Sequence, residues 1–181
     1  MHKSFFTPED GRGLIDFYRE AVRTRSYSDE EGELARLVAA RMEALGFDEV
    51  FIDPAGNAVG RVGDGPRILH FDSHMDTVQA GDPAAWRADP FSAEVIDGMV
   101  YGRGTVDMKG GLAASLYAAA IAKREGLLEG RTVYVTGSVC EEYCDGVCLE
   151  HFYRHSGVRP DFCVICEPSD NTITLGHTGK V

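Results

Sequence analysis

The sequence is short of positive charge. Its 18 Lys and Arg stand against 29 Asp and Glu, a formal net charge of -11 over 181 residues. Phosphate backbones are bound by clustered Lys and Arg, so this balance argues against a nucleic-acid partner. Long apolar runs are also missing. The longest, Leu112 to Ala122, is too short and too rich in Ala to span a bilayer. Residues 1–13 lack the apolar core of a secretory signal. The expected location is therefore the cytoplasm, with no membrane partner. Cysteine is present in an odd number: Cys140, Cys144, Cys148, Cys163 and Cys166 are expected as free thiols in a reducing compartment. Internal repeats, linkers and low-complexity tracts are absent. With 44% apolar and 26% charged residues, the chain has the make-up of an ordinary globular body with a sizeable core.

The hydrophobic period changes along the chain. Thr7-Pro8-Glu9-Asp10 predicts a helix start with Thr7 as N-cap and Pro8 in the first turn, continued by Leu14, Phe17, Ala21 and Val22. Ser28 and Glu31 have the spacing of a capping box ahead of the stripe Leu34, Leu37, Val38, Met42 and Leu45, and Gly46 is a C-terminal stop. Short β-rich runs follow at 50–52, 58–62 and 67–71, then a hairpin over 93–101 turning at Asp97-Gly98. A helix is predicted from about Lys109 to Arg124, a strand at 132–136, a short helix around 147–155, a strand at 162–165 and the beginning of another at 172–176. Two helices, then strands alternating with helices, indicate an α/β fold with a mixed sheet.

Four segments at strand ends, where open α/β sheets collect their ligands, carry the chemistry. They are Ser73-His74-Met75-Asp76-Thr77-Val78, the Gly-rich run 101–111 containing Asp107, Cys140-Glu141-Glu142, and Cys166-Glu167-Pro168. Asp76, two residues after His74, can accept from the second imidazole nitrogen and so orient the first. Glu141 and Glu142 repel one another unless a cation lies near or one holds a proton. One imidazole and several carboxylates make a nitrogen and oxygen donor set suited to Zn²⁺, with Mn²⁺ or Co²⁺ as alternatives. Each signal alone has an ordinary explanation: a structural His, an N-cap Asp, a solvated Glu pair, a loop Glu. Their order, strand-end placement and accompanying Gly-rich loop favour the metal.

The combination resembles the zinc metallopeptidase family of aminoacylase, acetylornithine deacetylase and succinyl-diaminopimelate desuccinylase, nearest its selenium-metabolism-linked hydrolase branch. The matching text is S-H-M-D-T-V at 73–78, G-D-P-A-A-W-R-A-D-P-F at 81–91, V-Y-G-R-G-T-V-D-M-K-G-G at 100–111, the Glu pair, and P-D-F-C-V-I-C-E-P at 160–168. The resemblance implies a mixed, mostly parallel central sheet flanked by helices, the phosphorylase/hydrolase-like catalytic domain of zinc peptidases. It implies that His74 and Glu167 bind a first zinc, that Asp107 bridges to a second held by Glu142, and that Asp76 stands behind His74. Glu141 would act as general base and acid on a water bridging the two zincs, to hydrolyse an amide bond in a small metabolite. A cis peptide at Asp107-Met108 is implied as well. Residues 1–181 would form the N-terminal part of the catalytic domain, truncated before a lid and dimerisation domain and before the final His ligand of the second zinc. The intact protein would be a homodimer. The chain alone would be either a hydrolase or an inactive metal-binding fragment or scaffold needing a complementary half.

Other candidates are weaker. Cys163 and Cys166 lie at a strand spacing that puts the thiols on opposite faces. His151 and His155 have the i, i+4 spacing of a zinc pair but lack the Glu of H-E-x-x-H, and a solvated helix face is the plainer reading. His70 is expected as a strand residue near the site, His177 as facing the cleft, and Lys109 as a partner of nearby carboxylates. The run 102–111 lacks the G-K-[ST] ending of a phosphate loop, which argues against a nucleotide.

Overall fold

The computed structural model describes residues 5–170 and 172–174. Helix α1 covers Pro8–Arg23. Thr7 Oγ1 accepts the Asp10 amide at 3.1 Å while the Asp10 carboxylate accepts the Thr7 amide at 2.8 Å, a reciprocal cap that satisfies two end groups of the helix. Phe17, Ala21 and Val22 are its buried face. Helix α2 covers Gly32–Ala44 and buries Leu34, Val38 and Met42, and Gly46 beyond it takes a φ of 78°.

The capping box read at Ser28 and Glu31 does not form. Helix α2 begins without a side-chain cap. The Glu31 carboxylate accepts the Cys140 amide at 2.8 Å, and Ser28 Oγ donates to Asp76 Oδ2 at 2.7 Å. A local pairing has lost to two contacts made 109 and 48 residues away in sequence.

The strands are β1 (Glu49–Ile52), β2 (Ala58–Gly63), β3 (Arg67–His74), β4 (Glu94–Ile96), β5 (Met99–Tyr101), β6 (Arg131–Ser138) and β7 (Phe162–Ile165). Helices α3 (Gly110–Arg124), α4 (Glu141–Cys144) and α5 (Val147–Ser156) intervene. Strands β4 and β5 form the hairpin, and Asp97 and Gly98 both take positive φ, 53° and 80°, as a tight I′ turn requires. The other strands make a mixed sheet in the order β1-β2-β6-β3-β7. Strand β2 runs antiparallel to β1 and β6, whereas β6, β3 and β7 are mutually parallel neighbours. Helices α1, α2 and α3 cover one face through Phe17, Leu34, Val38, Met42, Leu112 and Leu116. Helix α5 covers the other through Leu149 and Phe152, against Val59 and Tyr134. Residues 172–174 are not strand, and the rest of the strand read at 172–176, with Gly176, His177, Thr178 and Gly179, lies outside the described residues.

Alternation along β3 sends Leu69 and Phe71 toward the first core and His70 into the second. His70 is fully buried, with Nδ1 2.6 Å from Tyr153 Oη and Nε2 2.7 Å from Thr136 Oγ1. It packs below the strand end rather than at it, and burial pushes its pKa down to about 4 from 6.5. The folded state thus holds His70 neutral where the unfolded chain would protonate it. Its stabilising contribution is full above pH 6.5 and is lost as pH falls toward 4. The free-energy gap between wild type and His70→Gln, from urea unfolding, should be constant above neutrality and shrink across that window. A gap that widens on acidification would contradict the neutral assignment.

Candidate metal centre

Three parallel strands deliver the acidic residues to one edge of the sheet. Strands β3 and β6 end side by side, His74 opposite Ser138, and the Met75 amide donates to the Ser138 carbonyl at 2.7 Å. His74 therefore leaves β3 where Glu141 and Glu142 begin α4. Strand β7 runs along the other side of β3, and the Cys166 amide donates to the Asp72 carbonyl at 2.9 Å, which brings Glu167 to the same edge. Gly111, in the first turn of α3, lets that helix meet the end of β7: a Cβ there would sit 2.8 Å from the Cys166 carbonyl oxygen.

Asp107 arrives from the opposite side. The turn 105–109 is broken by non-helical backbone at Asp107 and Met108, which are joined by a cis peptide. Met108 and Lys109 are buried beneath it, and Asp107 remains half exposed. Lys109 does not pair with carboxylates as the sequence suggested. Its Nζ donates to the carbonyls of Ala21 at 3.0 Å and Thr24 at 2.8 Å, at the C-terminal end of α1, where the helix dipole favours a cation. Burial pushes its pKa down to about 7.

His74 lies at the middle of the cluster, with its side chain almost wholly buried. Its Nε2 is 2.9 Å from Asp107 Oδ1, 3.6 Å from Glu167 Oε1 and 3.9 Å from Glu141 Oε2. Two sets of ligand atoms gather within 4.8 Å of one another: His74 with Glu141 and Glu167, and His74 with Asp107 and Glu142. The partition differs from the one the resemblance implied, since Glu141 joins a set and His74 belongs to both. All five side chains nevertheless share one locus.

The role of Asp76 is wider than expected. His74 Nδ1 lies 2.8 Å from the Asp76 backbone carbonyl oxygen and only 3.4 Å from its carboxylate. The carboxylate instead accepts the Glu141 amide at 3.0 Å, the Glu142 amide at 3.1 Å and the Ser28 hydroxyl. One fully buried aspartate thus brackets the imidazole on one side and the Glu pair on the other. Burial opposes its ionisation, but the nearby His74 imidazole and the bonds from Ser28 and the two amides outweigh that and hold its pKa below the usual range.

The cluster is electrostatically strained. Two like charges about 4 Å apart repel by about 4 kcal/mol at an effective dielectric near 20. Burial raises the pKa of both Glu141 and Glu167, with neighbouring carboxylates adding to it. Burial disfavours a charged His74, yet Asp107, Asp76 and Glu167 push it up to about 11. The hydrogen bond from His74 in turn holds Asp107 low, with Arg103 assisting. A divalent cation would relieve all of these at once, and the nitrogen and oxygen donors fit Zn²⁺, Co²⁺ or Mn²⁺. Asp72, one strand pair behind His74, was not singled out from sequence. Its Oδ2 accepts the Ser138 hydroxyl at 3.3 Å, its Oδ1 has no partner among the described residues, and burial pushes the carboxyl up to about 7. The polar residue behind a strand-end ligand, two positions earlier, was the available signal.

Asp76→Ala would leave two amides and a hydroxyl without their acceptor, at about 1–3 kcal/mol for each buried group. Unfolding in urea should show a loss of about 3 kcal/mol or more. A loss under about 1 kcal/mol would mean that the bracket is not structural.

Comparison with known proteins places this geometry in context. The family model described as Peptidase family M20/M25/M40 matches residues 70–178. The chain is 41% identical to the uncharacterised protein YgeY of Escherichia coli (strain K12) over 168 residues, 93% of this chain and 42% of YgeY. It is 35% identical to the succinyl-diaminopimelate desuccinylase of Acidiphilium cryptum over 177 residues, 92% of this chain and 46% of that protein. The chain therefore spans less than half the length of these relatives. The fold is that of the M20 family metallo-carboxypeptidase Sso-CP2 from Sulfolobus solfataricus, with a TM-score of 0.73 at 22% identity, covering 88% of this chain and 37% of that one.

Proposed function

The chain belongs to peptidase family M20/M25/M40, and from that premise we propose that it carries the metal-holding site of a hydrolase that cleaves an amide bond in a small metabolite. The observation that carries this reading is the gathering of His74, Asp107, Glu141, Glu142 and Glu167 into two sets of ligand atoms that share His74, each set within 4.8 Å. In this reading His74 and Glu167 would hold one zinc and Glu142 the second, with Asp107 a ligand available to both, and cobalt or manganese as substitutes. Bound there, the ions would supply Lewis-acid polarisation of the amide carbonyl and activation of water.

The protein's own groups supply the proton traffic and the positioning. Glu141 is the acid and base. It is half buried, burial raises its pKa above the usual carboxylate range, and its backbone is tied to Asp76, which holds the residue in place. It takes a proton from the attacking water and returns it to the departing amine. Asp76 holds His74 and the Glu pair in one frame, as carboxylates and carbonyls behind metal-bound imidazoles do. A desuccinylase among the relatives supports an N-acyl amide as the scissile bond. No helix among the described residues is long and apolar enough to cross a membrane, and five free thiols support a cytoplasmic setting.

Replacing Glu141 with Ala in the active enzyme should lower turnover by about 10²–10⁴-fold, the worth of a positioned acid-base group, and leave zinc content unchanged. Turnover at the wild-type level would remove Glu141 from its role. Zinc per chain tests the metal assignment separately. Two bound ions with turnover support the hydrolase, whereas a single tight ion without turnover supports a metal-holding chain that needs a complementary half.

A further inference from the structure

Helix α5 bears a second group of metal-competent side chains, apart from the acidic cluster and independent of its function. His151 and His155 lie one helical turn apart, and their rings stack with centroids 3.8 Å apart and planes 26° apart. The two Nδ1 atoms differ in their surroundings. His155 Nδ1 is 2.8 Å from the His151 carbonyl oxygen. A carbonyl can only accept, so that nitrogen carries the proton, and in the neutral ring the lone pair lies on Nε2. His151 Nδ1 is buried without a hydrogen-bond partner among the described residues, and it faces Asp53 Oδ2 at 3.9 Å.

Asp53 is a fixed counter-charge. Its Oδ1 accepts the amides of Ala55, Gly56 and Asn57, and its Oδ2 accepts Asn57 Nδ2 at 2.9 Å. A carboxylate held beside Nδ1 favours the proton on that nitrogen and leaves the lone pair of His151 on Nε2 as well. His155 thus has an oxygen acceptor at Nδ1, the second contact that orients histidine ligands in metal sites. His151 has the Asp53 charge 3.9 Å from its Nδ1, and a small opening of the stack lets both Nε2 atoms face one ion. We propose that His151 and His155 form an auxiliary site for a divalent transition-metal ion of the imidazole-preferring class, Ni²⁺, Cu²⁺ or Zn²⁺, with solvent completing the coordination. The Glu absent from an H-E-x-x-H pattern is a catalytic group, so its absence leaves chelation intact.

The probe is Ni²⁺, added to the zinc-equilibrated, desalted chain with labelled histidine rings. The ring signals of His151 and His155 should broaden together, ahead of that of buried His70. His155→Gln, a change at an exposed position, should weaken Ni²⁺ binding by about tenfold or more and leave zinc content as it was. Unchanged Ni²⁺ affinity in that variant overturns the site. So does broadening that spares His151 and His155, or binding that vanishes instead when Cys144 and Cys148 are both replaced by Ser.

Discussion

Mutual repulsion among carboxylates is the constraint around which this molecule is arranged. Asp107, Glu141 and Glu167 crowd a single buried imidazole, and Glu142 stands beside them. Within the cluster only the imidazole of His74 offsets that crowding. The crowding is imposed from outside by parallel strands of matched length, by a glycine that lets α3 approach the end of β7, and by a buried aspartate that holds backbone amides. The stability of the sheet is spent on keeping like charges together, a common signature of sites that work on a cation.

The same division explains what could be read beforehand. Helix α1, with its Thr7 cap, and the Asp97-Gly98 hairpin rest on contacts a few residues long, and they were legible. So was the strand-end position of the Glu141-Glu142 pair and of Glu167, because apolar runs give way to charge there. The Ser28 and Glu31 pair was misread because its local partner lost to Asp76 and Cys140, which sequence distance hides. Lys109 was misread for a related reason: backbone carbonyls carry no sequence label, and two of them at the end of α1 captured the amine.

Asp76 shows the limit most clearly. The H-x-D spacing suggested a carboxylate behind the imidazole, whereas the nearer acceptor is the carbonyl of the same residue. Spacing named the correct residue and left open which oxygen would act. The carboxylate, 3.4 Å from the histidine, is hydrogen-bonded instead by the first amides of α4, a short segment with no side-chain cap of its own. A pattern of letters cannot distinguish these uses, because both oxygens belong to one position.

The buried amine of Lys109 has a consequence for how the chain comes together. Its Nζ closes the last carbonyls of α1, and the residue two places before it is the one whose carboxylate meets His74. The opening helix and the loop that carries Asp107 are therefore halves of a single joint, although more than eighty positions separate them. Without that lysine the carbonyls of Ala21 and Thr24 would lose this donor. Damage to the earliest segment of the polypeptide would be felt at the acidic edge of the sheet, far from where the lesion lies.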